Sequence, residues 1–251
     1  MAASPSAQPR SATAGQVVCG VCGRESRQSP FRPPPPEQAP DLDLRPGEPV
    51  RSTMARWLQQ CPHCHYTAPS IARAHPGAAA AVSAAPFRAL ILDAGHPPLA
   101  RRFLAWAHVL EETGALHAAA EATLHAAWVA DDAGKADLAH LWRQEAIALW
   151  RSGPPLDAEQ TVRIIDALRR AEAWEDAEAT AAELTLLSPP ESVGHVVALE
   201  RRLVAAKDAG RHTVASALPP PARRPHATHR RRDPAAGGGI VGWLKRLFRR
   251  G

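Results

Sequence analysis

The sequence is poor in the residues that build large cores. Leu, Ile, Val and Phe together supply 47 of its 251 residues, while alanine alone supplies 52. That is near the level at which a chain stops burying enough apolar surface to fold along its whole length, so part of it is expected to be disordered. A continuous run of about 20 apolar residues is also missing, which excludes a membrane-spanning helix. The longest candidate, residues 77–95, is broken by Pro86 and Arg88. The opening MAASPSAQPRSATAGQVV has neither a charged start nor an apolar stretch of signal-peptide length, which argues against export by that route. There is no nucleophile elbow, no phosphate-cradling glycine loop and no Ser/His/Asp arrangement, so the chain reads as a non-enzyme.

Charge is present but unevenly placed. The net charge is +5. Residues 211–251 hold ten Lys or Arg against one acid, Asp233, a net +9, which leaves residues 1–210 at −4. A mildly acidic body therefore carries a basic appendage, and an anionic partner would meet the appendage first.

Composition and periodicity divide the chain into five parts. Residues 1–16, rich in Ala, Ser, Pro and Gln, are expected to be disordered. Residues 17–70 form a small head containing all four cysteines, with the loop 28–40 and its run Pro33–Pro36 as an extended excursion. Residues 71–210 read as helical, with apolar residues recurring every three or four positions. Leu99, Phe103, Trp106, Ala107 and Leu110 make one stripe, closed by Gly114. Leu116, Ala120, Leu124, Ala127 and Trp128 make the next, and Leu138, Leu141, Trp142, Leu149 and Trp150 a third before Gly153-Pro154-Pro155. Val162, Ile165 and Leu168 give a fourth; two more carry Trp174, Ala177, Leu184 and Leu187, then Val193, Val197, Leu203 and Val204. Six helices with short connections predict an antiparallel array, with one or two shorter helices over residues 78–93. Gly114, Ala119 and Ala126, and again Ala177, Leu184 and Pro189, follow the small-residue spacing of tetratricopeptide repeats, though Ala119 and Ala177 are too far apart for a regular repeat. Residues 211–239 read as a disordered basic linker and 240–251 as an amphipathic basic helix.

The cysteines carry the sharpest chemistry. Cys19-Gly-Val-Cys22-Gly and Cys61-Pro-His-Cys64 are two C-x2-C knuckles. Two residues between thiolates let a tight turn aim both sulfurs at one ion, and two such turns complete a tetrahedron. The expectation is one structural zinc on Cys19, Cys22, Cys61 and Cys64, ahead of a rubredoxin-like iron site for electron transfer and of a redox dithiol. Four thiolates close the coordination shell, so such a metal folds the head and does not catalyse. His63 and His65 beside the second knuckle are then not needed as ligands.

Taken in order, Cys19-x-x-Cys22-Gly, Asp41-Leu-Asp43-Leu-Arg45-Pro-Gly, Cys61-Pro-His-Cys64-His-Tyr66 and Ala126-Ala127-Trp128-Val129-Ala130-Asp131-Asp132 resemble the bacterial domain of unknown function 2225 family. The resemblance covers roughly residues 17–212. It implies a zinc-ribbon-like head on a tetratricopeptide-like helical body and brings no established activity. His65 stands where such a Cys-Pro-x-Cys-Gly-Tyr knuckle has glycine.

Three further groups are candidates. Asp41, Asp43 and Arg45 alternate along an extended stretch and project from one face, as a cation or basic-partner site or, more commonly, a local salt bridge. His117, Glu121 and His125 share a helix face at metal-ligand spacing, though an exposed flank is the commoner meaning of such a pattern. In the last segment Ile240, Val241, Trp243, Leu244, Leu247 and Phe248 would gather on one side of a helix, flanked by Lys245, Arg246, Arg249 and Arg250. The combined expectation is a mainly α, non-catalytic zinc-binding scaffold of the cytoplasm whose helical body holds a protein partner. The C-terminal helix would touch the anionic inner face of the membrane, and nucleic-acid binding through ribbon and tail ranks second.

Overall fold

The computed structural model describes residues 15–219. The expected C-terminal helix, with Trp243, Leu244, Lys245, Arg246, Leu247, Phe248, Arg249 and Arg250, lies outside the described residues. So do residues 1–14 and 220–239.

Two short antiparallel hairpins open the fold. Strands β1 (Gln16–Val18) and β2 (Glu25–Arg27) pair with Val17 opposite Ser26, and β3 (Gln59–Gln60) pairs with β4 (Thr67–Ala68). A 3-10 helix spans Arg51–Arg56, and α1 (Ala78–Ser83) and α2 (Ala85–Leu92) follow the second hairpin. The six expected long helices are α3 (Pro98–Glu112), α4 (Leu116–Asp132), α5 (Ala136–Ser152), α6 (Ala158–Arg170), α7 (Trp174–Leu186) and α8 (Glu191–Ala205). A last turn of helix, α9, covers Val214–Ala217. Among the described residues no helix is long and apolar enough to cross a membrane.

Most of these helices end in one way. The amides of Ala115, Lys135, Ala173 and Asp208 reach back to the carbonyls of Leu110, Ala130, Leu168 and Leu203 at 2.8–2.9 Å. The residue before each has a positive φ: Gly114 at 74°, Gly134 at 65°, Glu172 at 59° and Lys207 at 50°. This left-handed closure satisfies the last carbonyls and turns the chain back within two or three residues. Consecutive helices therefore lie side by side, α3 on α4 and α4 on α5, then α6 against both α7 and α8. At the other end of α6, Asp157 and Gln160 form a reciprocal capping box.

The core is largely tryptophan set among alanines. Trp128, Trp142 and Trp150 are buried with Ala126, Ala127, Ala139 and Ala146 between α4 and α5, where the small residues let the helices approach closely. Two stripe residues depart from expectation: Leu141 is 45% exposed and Leu187 is 77% exposed. Leu141 faces away from α4, and Leu187 lies just past the last turn of α7.

Two boundaries also move. Gln16, expected in the disordered lead, begins β1. Residues 211–219, expected to start the linker, belong to the fold. Thr213 bridges Asp41, the Val214 amide bonds the Pro40 carbonyl at 2.9 Å, and the Leu42 amide bonds that of His212 at 3.0 Å. Leu42 and Val214 are both buried against Val162, Ile165, Val197 and Leu203, and that apolar contact is what draws the two straps together.

Candidate metal centre

Each hairpin carries a knuckle at its tip, and the two are built alike. The Cys19 amide bonds the Arg24 carbonyl at 2.9 Å and the Gly23 amide returns to the Cys19 carbonyl at 2.8 Å. In the second, the Cys61 amide bonds the Tyr66 carbonyl at 2.9 Å and the His65 amide returns to the Cys61 carbonyl at 3.0 Å. Gly23 has φ 70° and His65 has φ 60°, so His65 takes the left-handed place that glycine fills in the first knuckle. Amides of Val21 and Cys22 point at the Cys19 sulfur, as those of His63 and Cys64 point at Cys61. Gly20 is needed for a different reason: a Cβ there would lie 2.5 Å from the Ala74 nitrogen.

The hairpins meet with their sulfurs converging. Cys19 Sγ lies 3.8 Å from Cys64 Sγ and Cys22 Sγ lies 3.6 Å from Cys61 Sγ, and all four sulfurs fall within 4.8 Å of one another. Tetrahedral zinc with bonds of about 2.3 Å places its sulfurs about 3.8 Å apart, so the donor set fits a four-thiolate ion. All four cysteines are free, and the separations are far above a disulfide's ~2.0 Å. Burial raises the Cys64 and Cys19 thiols; at Cys61 burial acts the same way, but the amides of Cys64 and His63 outweigh it and lower that thiol. Four sulfurs so close hold their thiolate charge only against a cation. His63 accepts a 3.1 Å hydrogen bond from Arg24 at the surface, apart from the sulfurs.

The centre shares its core with the helices. Cys19 and Cys61 are buried with Tyr66, Ile71, Ala78, Ala81 and Phe87, and with Ala105 and Val109 of α3. The Tyr66 hydroxyl donates to the Arg73 carbonyl and accepts from the His75 amide, fixing the chain that leads into α1.

The other expected sites resolve differently. Asp41 pairs with Arg51 at 2.5 Å, ten residues along, as a local bridge. Asp43 and Arg45 reach much further. The Asp43 carboxylate accepts from the Trp128 indole at 2.6 Å and from Arg170 at 3.2 Å, while Arg45 pairs with Asp132 and donates to the Trp128 carbonyl. Arg170 and Arg143 meet on Asp131, and Arg163 pairs with Glu121 and donates to the Asp43 carbonyl. Burial opposes ionisation of Asp43, but Arg170, Arg143, the Arg45 amide and the Trp128 indole outweigh it and hold its carboxyl below the usual range. Beside this network, Arg169 is buried between Asp166 at 2.5 Å and Glu200 at 2.7 Å. Burial, then the neighbouring Asp166, pushes Glu200 well above the ordinary carboxylate range.

His117, Glu121 and His125 are neither a ligand set nor a solvated flank. His117 Nε2 contacts the Pro154 carbonyl, Glu121 is held by Arg163, and the His125 ring packs edge-on against Trp57 and Phe103 and tilted against Trp128. Burial and then Arg163 push His125 down to about 3, so it is neutral at physiological pH. Among the described residues the cysteines form the metal-ligand cluster. Comparison with family models, curated proteins and solved structures finds no match to the chain.

Proposed function

We propose that the protein is a non-catalytic, zinc-stabilised interaction protein in which a zinc-ribbon-like head braces a tetratricopeptide-like body that holds a protein partner. The observation that carries this reading is the closed set of four converging sulfurs, half of it buried in the same core as α1–α3. With four cysteine ligands no coordination position is left for a substrate, so the ion's task is to lock the head onto the helices. The helical body, residues 71–210, holds 19 Asp or Glu against 13 Lys or Arg, a net −6, which favours a protein partner and opposes nucleic acid there. The knuckles and the Asp41–Arg45 strap also carry our proposal that the chain belongs with the bacterial domain of unknown function 2225 family.

Elemental analysis together with co-purification tests the reading. The expected result is one zinc per chain and a protein partner captured by the zinc-loaded protein, retained after removal of residues 220–251 and lost on chelation. A red, iron-containing protein, or nucleic acid as the sole companion, overturns it.

A further inference from the structure

The outer face of α7 is left uncovered by its neighbours. α7 packs on α6 and α8 through Ala177, Ala181 and Leu184, and its flanks are tied by Glu178 to Arg201 and by Asp176 to Arg151. At about 100° per residue, Glu175, Ala179, Ala182, Glu183 and Leu186 of α7 fall in one arc of roughly 100° that points away from those contacts, with Glu172 exposed in the turn just before the helix. Leu186 is 84% exposed and Leu187, just beyond it, 77% exposed, both large for a solvated helix end. Glu172, Glu175 and Glu183 form no ion pair among the described residues. The face is thus an apolar strip of Ala179, Ala182 and Leu186 bordered by unmatched acids.

We propose that this face docks the chain's own C-terminal segment, residues 240–250. That segment has the complementary pattern: Ile240, Trp243, Leu244, Leu247 and Phe248 at helical spacing, bordered by Lys245, Arg246, Arg249 and Arg250. Residues 220–251 carry a net +8, and the helical body, residues 71–210, a net −6. The last described helix lies across a groove from one flank of α7. Ala217 of α9 lines a groove of about 740 Å³ together with Ala198, Arg201 and Ala205 of α8 and Glu178 of α7. The 20 residues between Pro219 and Ile240 are enough to reach it, since a flexible chain of that length would span about 25 Å, more than the ~20 Å length of α7. Tethering at that distance raises the effective concentration of the segment to the millimolar range, so a weak contact is well populated. The inference goes beyond the interaction reading and rests on it only in treating the helical body as a binding element.

Zero-length carbodiimide cross-linking of the full-length, metal-loaded protein tests it. The chain has three lysines, Lys135, Lys207 and Lys245, so a link from Lys245 reports the segment and the other two report reagent activity. The expected products are Lys245 joined to Glu172, Glu175 or Glu183 within one chain. Their yield should fall about tenfold in Glu175→Arg/Glu183→Arg and in Leu247→Glu, and also in high salt. A mixture of isotope-labelled and unlabelled protein distinguishes the geometry: links found only between copies would show a second molecule as the occupant and overturn the proposal. Absence of Lys245 links while Lys135 or Lys207 reacts overturns it too. So does a segment that floats with vesicles of phosphatidylglycerol yet gives no α7 link without them. Partner capture is read separately, so failure here leaves the interaction reading untouched.

Discussion

Around the cysteines the buried side chains are sulfur or apolar, with Thr67 and the Tyr66 hydroxyl as the polar atoms, whereas around Asp43 four arginines and their acids are packed between helices. The strands of the head carry few apolar side chains of their own, and four sulfurs placed to hold a metal ion converge between its hairpins. The helical body has area enough, and its charges decide how the 40–45 strap, α4 and α6 fit. Of the 30 basic residues 27 are arginine, and the network uses arginine throughout, since a planar fork bonds several oxygens at once where an ammonium would stay hydrated. One ion on four thiolates would serve as a strong point contact where the core is small, while a large core can hold costly charges provided each has a partner.

Removing the metal should have the largest effect. Structural zinc contributes on the order of 10 kcal/mol to the folding of small domains. Chelation or Cys61→Ser is expected to release both hairpins and loosen α1 and α2, because Cys61 shares a core with Phe87 and Val109. Near-ultraviolet circular dichroism and hydrogen exchange will show this, and unchanged protection in α1–α3 would make the head an independent unit.

Next comes Asp43→Ala, which strands Arg170 and the Trp128 indole inside the protein and is expected to cost about 3–5 kcal/mol in denaturant unfolding. A loss below about 1 kcal/mol would mean that Asp131 alone satisfies Arg170.

pH separates two groups that shift stability in opposite directions. His125, down to about 3 when folded, stays neutral while the unfolded chain takes up a proton below about pH 6.5, so its contribution is lost as pH falls from there. Stability should drop by up to about 1.4 kcal/mol per pH unit over that window, and His125→Phe should flatten the slope. Glu200, raised when folded, keeps its proton after the unfolded chain has released it above about pH 4.3. Its contribution is therefore full below that pH and fades as pH rises, at up to the same slope, and Glu200→Gln should remove that decline.

The smallest expected change is His65→Gly, which relieves a left-handed residue at φ 60° and should stabilise the metal-bound head by about 1 kcal/mol. A loss instead would show that the imidazole contributes to the knuckle.

Several features were legible without coordinates because their signals are local. A C-x2-C knuckle fits within one turn, and the ends of α3, α4 and α5 are marked by Gly114, Gly134 and Gly153. α6 was legible only in part. Val162, Ile165 and Leu168 mark one buried stripe, yet residues Val162–Arg170 are all buried, Arg163, Asp166, Arg169 and Arg170 included. Periodicity treats a charge as solvated, and it cannot register that the Asp43 strap, α8 and residues 208–214 cover the opposite side. The same blindness ended the helical body at Gly210 and left Val214 outside it.

The sequence by itself determined the two cysteine knuckles, the places of the six long helices and the opposite charges of body and appendage, because each depends on residues close in the chain or on simple sums. Only the tertiary structure decided that Asp43 meets Arg170 across 127 positions, that Asp41 and Thr213 close the fold, and that the cysteines and α3 share one core. Contacts between distant residues leave no local pattern; their energy exists only once packing has excluded water from both partners.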